Sequence, residues 1–145
     1  MQPRIAFADV PASHRGPLMQ LHHTLECSSL GADLIELIYL RISQLNGCTY
    51  CIDLHTGTLL KRGADGRRLA VLMHWRETAW FDAREAAALA WAEALTLCAG
   101  GWPDPALYAA LEAQFSRAEI VDLTYAIALM NALNRTAIGF GKGPG

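Results

Sequence analysis

The sequence predicts an all-α, single-domain protein, and three observations carry that prediction. Apolar residues recur at helical spacing in nearly every segment, residues that start and stop helices stand between the segments, and no stretch shows the period of two that marks a strand. At 145 residues the chain reads as one domain, residues 1–145, able to bury roughly 70% of its unfolded surface without disulfide or metal staples. About six to seven helices are expected from the periodic segments. Residues 1–15 read as an N-terminal extension and residues 139–145 as a flexible, glycine-rich tail.

The first helix is expected from Pro17 to about Ser29, stopped by Gly31. The second, Ala32 to about Leu45, carries Leu34, Ile35, Leu37, Ile38, Leu40 and Ile42, so it is apolar over most of its circumference and should be buried. Asn46-Gly47 breaks it. The third runs from about Cys48 to Arg62, with Gly63 as a left-handed stop, and a short fourth covers Arg67 to about Trp75. Asp82 with Glu85 has the form of a capping box for a helix through Leu97. Asp104-Pro105 sets a cap and a first-turn proline before Leu107 to Phe115. Ser116 with Glu119 opens a last helix on which Ile120, Leu123, Ile127 and Asn131 recur.

Composition narrows the function. Hydrophobic residues make up 52% and charged residues 18%, which fits a packed core and not a disordered chain. A mean hydropathy of +0.17 is apolar for a short chain, as expected of a well-filled core or a surface that meets a partner subunit. With 12 Lys and Arg against 14 Asp and Glu, a formal charge of −2 and no basic block, no nucleic-acid partner is expected. The N-terminus lacks the apolar run of a signal peptide and no stretch is long and apolar enough to span a membrane, so a cytoplasmic protein with no membrane partner is expected. In that reducing setting a close cysteine pair points to redox chemistry or metal binding.

The close pair is Cys48-Thr-Tyr-Cys51, followed by His55. At about 100° per residue, Cys48, Cys51 and His55 fall within a wedge of about 60° and form one stripe. Near a helix N-terminus, free N–H groups and the dipole stabilise a thiolate at Cys48. His55, one turn beyond Cys51, can take that thiol's proton. The dipole thus favours Cys48 as the more acidic thiol, and the histidine favours Cys51. Glu36 precedes the Asn46-Gly47 break by about as many residues as His55 follows it. Each sits roughly 12–15 Å from the turn, so a helical hairpin sets them level. A carboxylate in so apolar a helix needs a partner, and orienting the imidazole is a reason for its presence.

Glu36, eleven intervening residues, Cys48-x-x-Cys51 and then His55 resemble the core motif of the alkylhydroperoxidase D-like proteins of the carboxymuconolactone decarboxylase superfamily. Arg41-Ile-Ser-Gln-Leu-Asn-Gly ahead of the pair, His74-Trp-Arg-Glu, and the run from Arg84 to Glu93 agree, and the likeness spans roughly Leu30 to Arg135. The resemblance implies a helical bundle with the Cys-x-x-Cys at the N-terminus of a central helix, assembling as trimers or hexamers, the hexamer favoured. It implies reduction of a hydroperoxide, without a cofactor beyond the Cys48–Cys51 disulfide, using an external dithiol or protein reductant. It also implies that Cys51 attacks the peroxide, that Cys48 resolves the sulfenic acid, and that Glu36 and His55 relay the proton. The best-known members carry a histidine between the cysteines; here Tyr50 takes that place and is an auxiliary candidate.

Two other functions fit the same residues. One is a general thiol-disulfide oxidoreductase or redox sensor without peroxide specificity. The other is a zinc-binding structural module holding the ion on Cys48, Cys51, His55 and Glu36. Elsewhere, Cys27 and Cys98 read as inert packing, and His22, His23 and His74 as caps or solvent-facing groups. Arg41, Glu85 and Glu93 read as ion-pair members, with Arg41 structural because its helix is apolar. Trp75, Trp80, Trp91 and Trp102 read as core or interface residues, and Asn131 and Asn134 as braces for a neighbouring helix end.

Overall fold

The computed structural model describes residues 2–144, and its described residues are all-helical with no strand. The helices are α1 (Ala12–Glu26), α2 (Ala32–Asn46), α3 (Thr49–Lys61), α4 (Gly66–Ala70), α5 (Ala83–Thr96), α6 (Pro105–Glu112) and α7 (Arg117–Gly139). Short 3₁₀ segments lie at Phe7–Asp9, Leu72–Glu77 and Cys98–Gly100.

Helix α2 is the hub. It packs against α3, α5 and α7, which bury it from Leu34 to Leu40 and at Ile42 and Ser43. One flank, with Ile35, Ile38, Tyr39 and Ile42, joins Leu111 of α6 and Leu123, Ile127 and Met130 of α7 in the larger core. The other flank, with Leu37 and Leu40, meets Leu59 of α3, Leu69 of α4, Leu72, Trp75 and Phe81 in a second cluster. Each buried Leu or Ile contributes about 1.5–3 kcal/mol by leaving water, which is why a helix with so little polar surface sits at the centre.

The capping boxes behave as their sequences predict. Asp82 accepts from the Glu85 backbone N–H and Ser116 from that of Glu119, with both glutamates bonding back to the cap residue. Asp104 caps α6, which starts at Pro105 and ends by Glu112, earlier than expected. The fourth helix is shorter than expected: α4 ends at Ala70, and Leu72–Glu77 continues as 3₁₀ with a kink at His74.

One expectation about the start of the chain is corrected. Helix α1 begins at Ala12 and not at Pro17, which sits inside it. The early turn is held from outside, since the Arg15 guanidinium stacks over Phe7 at 5.4 Å and Phe7 packs edge-on against Tyr50 and Phe140. Residues 139–144 are also engaged. Phe140 accepts the Arg4 N–H at 2.7 Å, and the Lys142 N–H bonds the Ala137 carbonyl at 3.0 Å. The two ends of the chain therefore meet over the start of α3. Met1 and Gly145, which close the expected extension and tail, lie outside the described residues.

Candidate active site

The turn between α2 and α3 sets the position of the cysteines. Gly47 adopts φ 68°, the left-handed conformation that glycine reaches without a Cβ penalty. The Cys48 N–H reaches back to the Ser43 carbonyl at 3.0 Å, closing a Schellman-type turn. Asn46, at the end of α2, donates to Asn131 at 3.0 Å and Asn134 at 2.9 Å on α7. The two asparagines thus brace a helix end, as their positions predict, and that end aims the cysteine pair.

Cys48 is the N-cap of α3 and not its first helical residue, so the stripe runs from the cap through Cys51 to His55. Cys48 and Cys51 are joined as a disulfide with their Cα atoms 5.3 Å apart. They pack with Ala137 of α7 and with Tyr50 in a small cluster of their own. Both are buried, yet only Cys51 reaches the wall of a cavity of about 120 Å³, together with His55, His22, Tyr50, Met130 and Arg15.

The helical hairpin sets Glu36 and His55 level. His55 Nδ1 lies 2.8 Å from Glu36 Oε2, and both side chains are buried. A carboxylate at Glu36 can only accept, so the imidazole donates through Nδ1, and Nε2 is the nitrogen left outside this bond. Tyr39, fully buried, lies edge-on to the His55 ring at 5.3 Å. Burial first, then the nearby Glu36 and Glu26 carboxylates, hold its phenol above the ordinary tyrosine range, so it remains protonated beside the pair. Tyr50, the auxiliary candidate, lines the cavity beneath the Lys142 ammonium, which lies 3.7 Å from its ring centroid.

His22 was not recognised from sequence as part of this site; it was expected to cap or to face solvent. It lies on the cavity wall, 5.6 Å from the Tyr39 ring, with Nε2 3.6 Å from Glu26 and its Nδ1 buried without a partner among the described residues. The signal was present, because Leu18, His22 and Leu25 follow helical spacing on the face of α1 that meets the core. Cys27 and Cys98 are also corrected: both are exposed free thiols and not core packing. The four residues suggested for zinc do not form the converging donor group. Cys48 and Cys51 are bonded to each other, and the described donors that lie within 4.8 Å of one another are those of His22, Glu26 and Glu36.

The remaining charges brace the scaffold. Arg41 meets Glu93 at 2.6 Å, Trp75 Nε1 donates to the same carboxylate at 3.0 Å, and Arg76 binds its other oxygen. Glu85 pairs with Arg68 at 2.7 Å. Of the tryptophans, Trp75 is buried and Trp91 partly so, whereas Trp80 and Trp102 are exposed. His74 pairs with Glu77 on the surface. No described helix is long and apolar enough to cross a membrane.

The protein is thus an all-helical bundle that presents a disulfide-bonded cysteine pair at a helix start, backed by a buried histidine–glutamate pair. The sequence pattern of the Carboxymuconolactone decarboxylase family matches residues 18–94, just over half of the chain. The chain belongs to that family, and its solved relatives place it among the alkylhydroperoxidase D-like members. It is 30% identical over 142 residues to the uncharacterized protein YdfG of Bacillus subtilis, spanning 98% of this chain and 97% of that one. The structure of ATU0492 from Agrobacterium tumefaciens superposes with a TM-score of 0.94 at 32% identity, over 99% of both chains. That protein was solved as one of unknown function and a suggested antioxidant-defence protein of the AhpD type. A peroxidase-related protein from Silicibacter sp. TM1040 shares the fold at 22% identity, with a TM-score of 0.82 over 93% of this chain and 72% of its own.

Proposed function

We propose that the protein is a cysteine-based hydroperoxide reductase serving antioxidant defence. The observation that carries this reading is the asymmetry of the pair: Cys51 and His55 line the cavity, and Cys48 stands behind them. In the reduced enzyme His55 takes the Cys51 proton while Glu36 holds the imidazole in the right tautomer. The thiolate attacks the terminal oxygen of R–O–OH and the O–O bond breaks. The departing alkoxide recovers the proton from His55 and leaves as an alcohol. Cys51 is then a sulfenic acid, which the Cys48 thiol displaces, releasing water and forming the disulfide. An external dithiol or protein reductant returns both sulfurs to thiols. Tyr50, on the cavity wall, takes the chain position where a second imidazole stands in the best-known members. The ATU0492 likeness supports an antioxidant role. The same reading includes a cytoplasmic homo-oligomer, a trimer or hexamer with the hexamer favoured, and no cofactor beyond the disulfide.

The test is peroxide consumption and thiol state in wild type, Cys51→Ser and Cys48→Ser. Wild type should form the Cys48–Cys51 disulfide after one equivalent of peroxide. Cys51→Ser should lose consumption, and Cys48→Ser should retain one turnover and accumulate sulfenic acid. Failure of the wild type to form the disulfide sinks the reading; loss of the first turnover in Cys48→Ser alone reverses the two roles.

A further inference from the structure

Beside the thiol cavity lies a second, more open hollow of about 470 Å³, bounded by the N-terminal segment, α1 and the end of α7. The two share Phe7, Arg15, Leu133 and Thr136 as common wall, so they are neighbouring chambers. The larger is lined mainly by apolar groups, among them Ile5, Val10, Leu18 and Phe140. Its volume is several times that of the thiol chamber, far more than a hydrogen peroxide molecule needs.

Two cations flank the shared wall. The Arg15 guanidinium lies 5.4 Å from the Phe7 ring centroid, and the Lys142 ammonium lies 3.9 Å from the same ring. Among the described residues no carboxylate comes within 4 Å of either, whereas Arg41, Arg62, Arg68, Arg76 and Arg84 each hold one. Stacking on an aromatic face leaves the in-plane N–H donors of a guanidinium free for a planar anion. His14 and the Asp9 carboxylate are the other titratable groups on the larger chamber, so among the described residues there the two cations outnumber the one carboxylate. The reacting –O–OH group is neutral and gains nothing from these cations. They fit an anionic group elsewhere on the same molecule, and apolar walls strengthen that attraction.

We propose that the substrate is an amphiphilic hydroperoxide that carries a carboxylate. Its apolar chain fills the larger chamber, its carboxylate meets Arg15, and its hydroperoxide reaches Cys51. This inference rests on the peroxide-reductase reading, and the step is the one written above: two thiols and R–O–OH give the alcohol, water and the disulfide.

The experiment compares linoleic acid hydroperoxide, its methyl ester and tert-butyl hydroperoxide, all below micellar concentration, on the intact protein. Wild type should prefer the acid over the ester by about tenfold in kcat/KM, the effect of one charge-assisted contact. Arg15→Gln should bring that ratio towards one. Because the ratio is taken within each variant, a general loss of activity does not mimic the result. Val10→Trp, which fills the larger chamber, should lower both long-chain substrates relative to tert-butyl hydroperoxide. An acid-to-ester ratio near one in wild type, or a ratio that survives in Arg15→Gln, overturns the proposal. With tert-butyl hydroperoxide still reduced, that result leaves the peroxidase reading standing. If none of the three is reduced, both fall.

Discussion

Nδ1 of His55 and Oε2 of Glu36 lie 2.8 Å apart, both buried, although 19 residues separate them in the chain. The contact joins the two arms of the α2–α3 hairpin at the level of the cavity. In the proposed mechanism a carboxylate there fixes which nitrogen carries the proton and stabilises the imidazolium formed when His55 takes the Cys51 proton. Glu36→Gln keeps the size of the side chain and removes its charge. Disulfide formation after peroxide should slow by about 100-fold, with helix content by circular dichroism unchanged. A rate within twofold of wild type would remove Glu36 from the mechanism.

Glu93 gathers Arg41, Arg76 and the Trp75 indole around one carboxylate. Burial pushes its carboxyl pKa up, but the hydrogen bonds from Arg76, Trp75 and Arg41 outweigh it and hold the group below its ordinary value. Glu93→Ala leaves the largely buried Arg41 without its partner and should cost about 3 kcal/mol. Urea unfolding measures that loss. Pairing the change with Arg41→Ala should recover part of it, because the stranded charge is then gone.

Acid should weaken the fold through Glu119. The Ser116 backbone N–H and Arg84 bring its carboxyl down from 4.5 to about 2. A carboxyl with a depressed folded-state pKa adds stability above the unfolded value and loses it as the proton binds. Its contribution is therefore complete above pH 4.5 and falls away towards about pH 2. Glu119→Gln should flatten the stability curve across that interval and leave its shape near neutrality alone. An unchanged slope in acid would refute the assignment.

Asn134 is fully buried and ties the end of α2 to α7 through Asn46 while donating to Ser43 at 3.1 Å. Asn134→Ala strands these partners and should cost about 1–3 kcal/mol in chemical denaturation. It should also loosen the turn that holds Cys48. The equilibrium of the Cys48–Cys51 disulfide with glutathione should shift in the variant, a readout that a remote loss of stability would leave in place.

The four cysteines separate into two kinds. Cys27 and Cys98 are exposed and free, and Cys48 and Cys51 are buried and joined. Titration of the native oxidised protein with an aromatic disulfide reagent should count two fast thiols, against four after reduction and unfolding. A slow reaction at Cys98 would contradict its exposure.

Much of the fold was legible because it is written in local chemistry. The capping boxes at Asp82 and Ser116, the Asp104-Pro105 start and the unbroken apolar character of α2 act within a few residues of themselves, so linear reading finds them. The errors fell where distant contacts override local preference. Pro17 reads as a helix start, yet Phe7, itself held by Tyr50 and Phe140, carries α1 back to Ala12. Cys27 and Cys98 look like core residues beside apolar neighbours, but they fall at α1's C-cap and in the 3₁₀ turn after α5, where the backbone turns them outward.

By itself the sequence determined an all-helical chain, a cysteine stripe ending in His55, and a carboxylate one helix earlier that could reach it. Helical periodicity and a single glycine turn suffice for that, since both depend only on spacing. Tertiary structure alone decided which sulfur faces the cavity, that His22 joins the site from α1, and that Arg15 and Lys142 meet on Phe7 in its wall. These groups come from opposite ends of the chain. No spacing rule connects them, and only the packing of α1 and α7 around α2 brings them together.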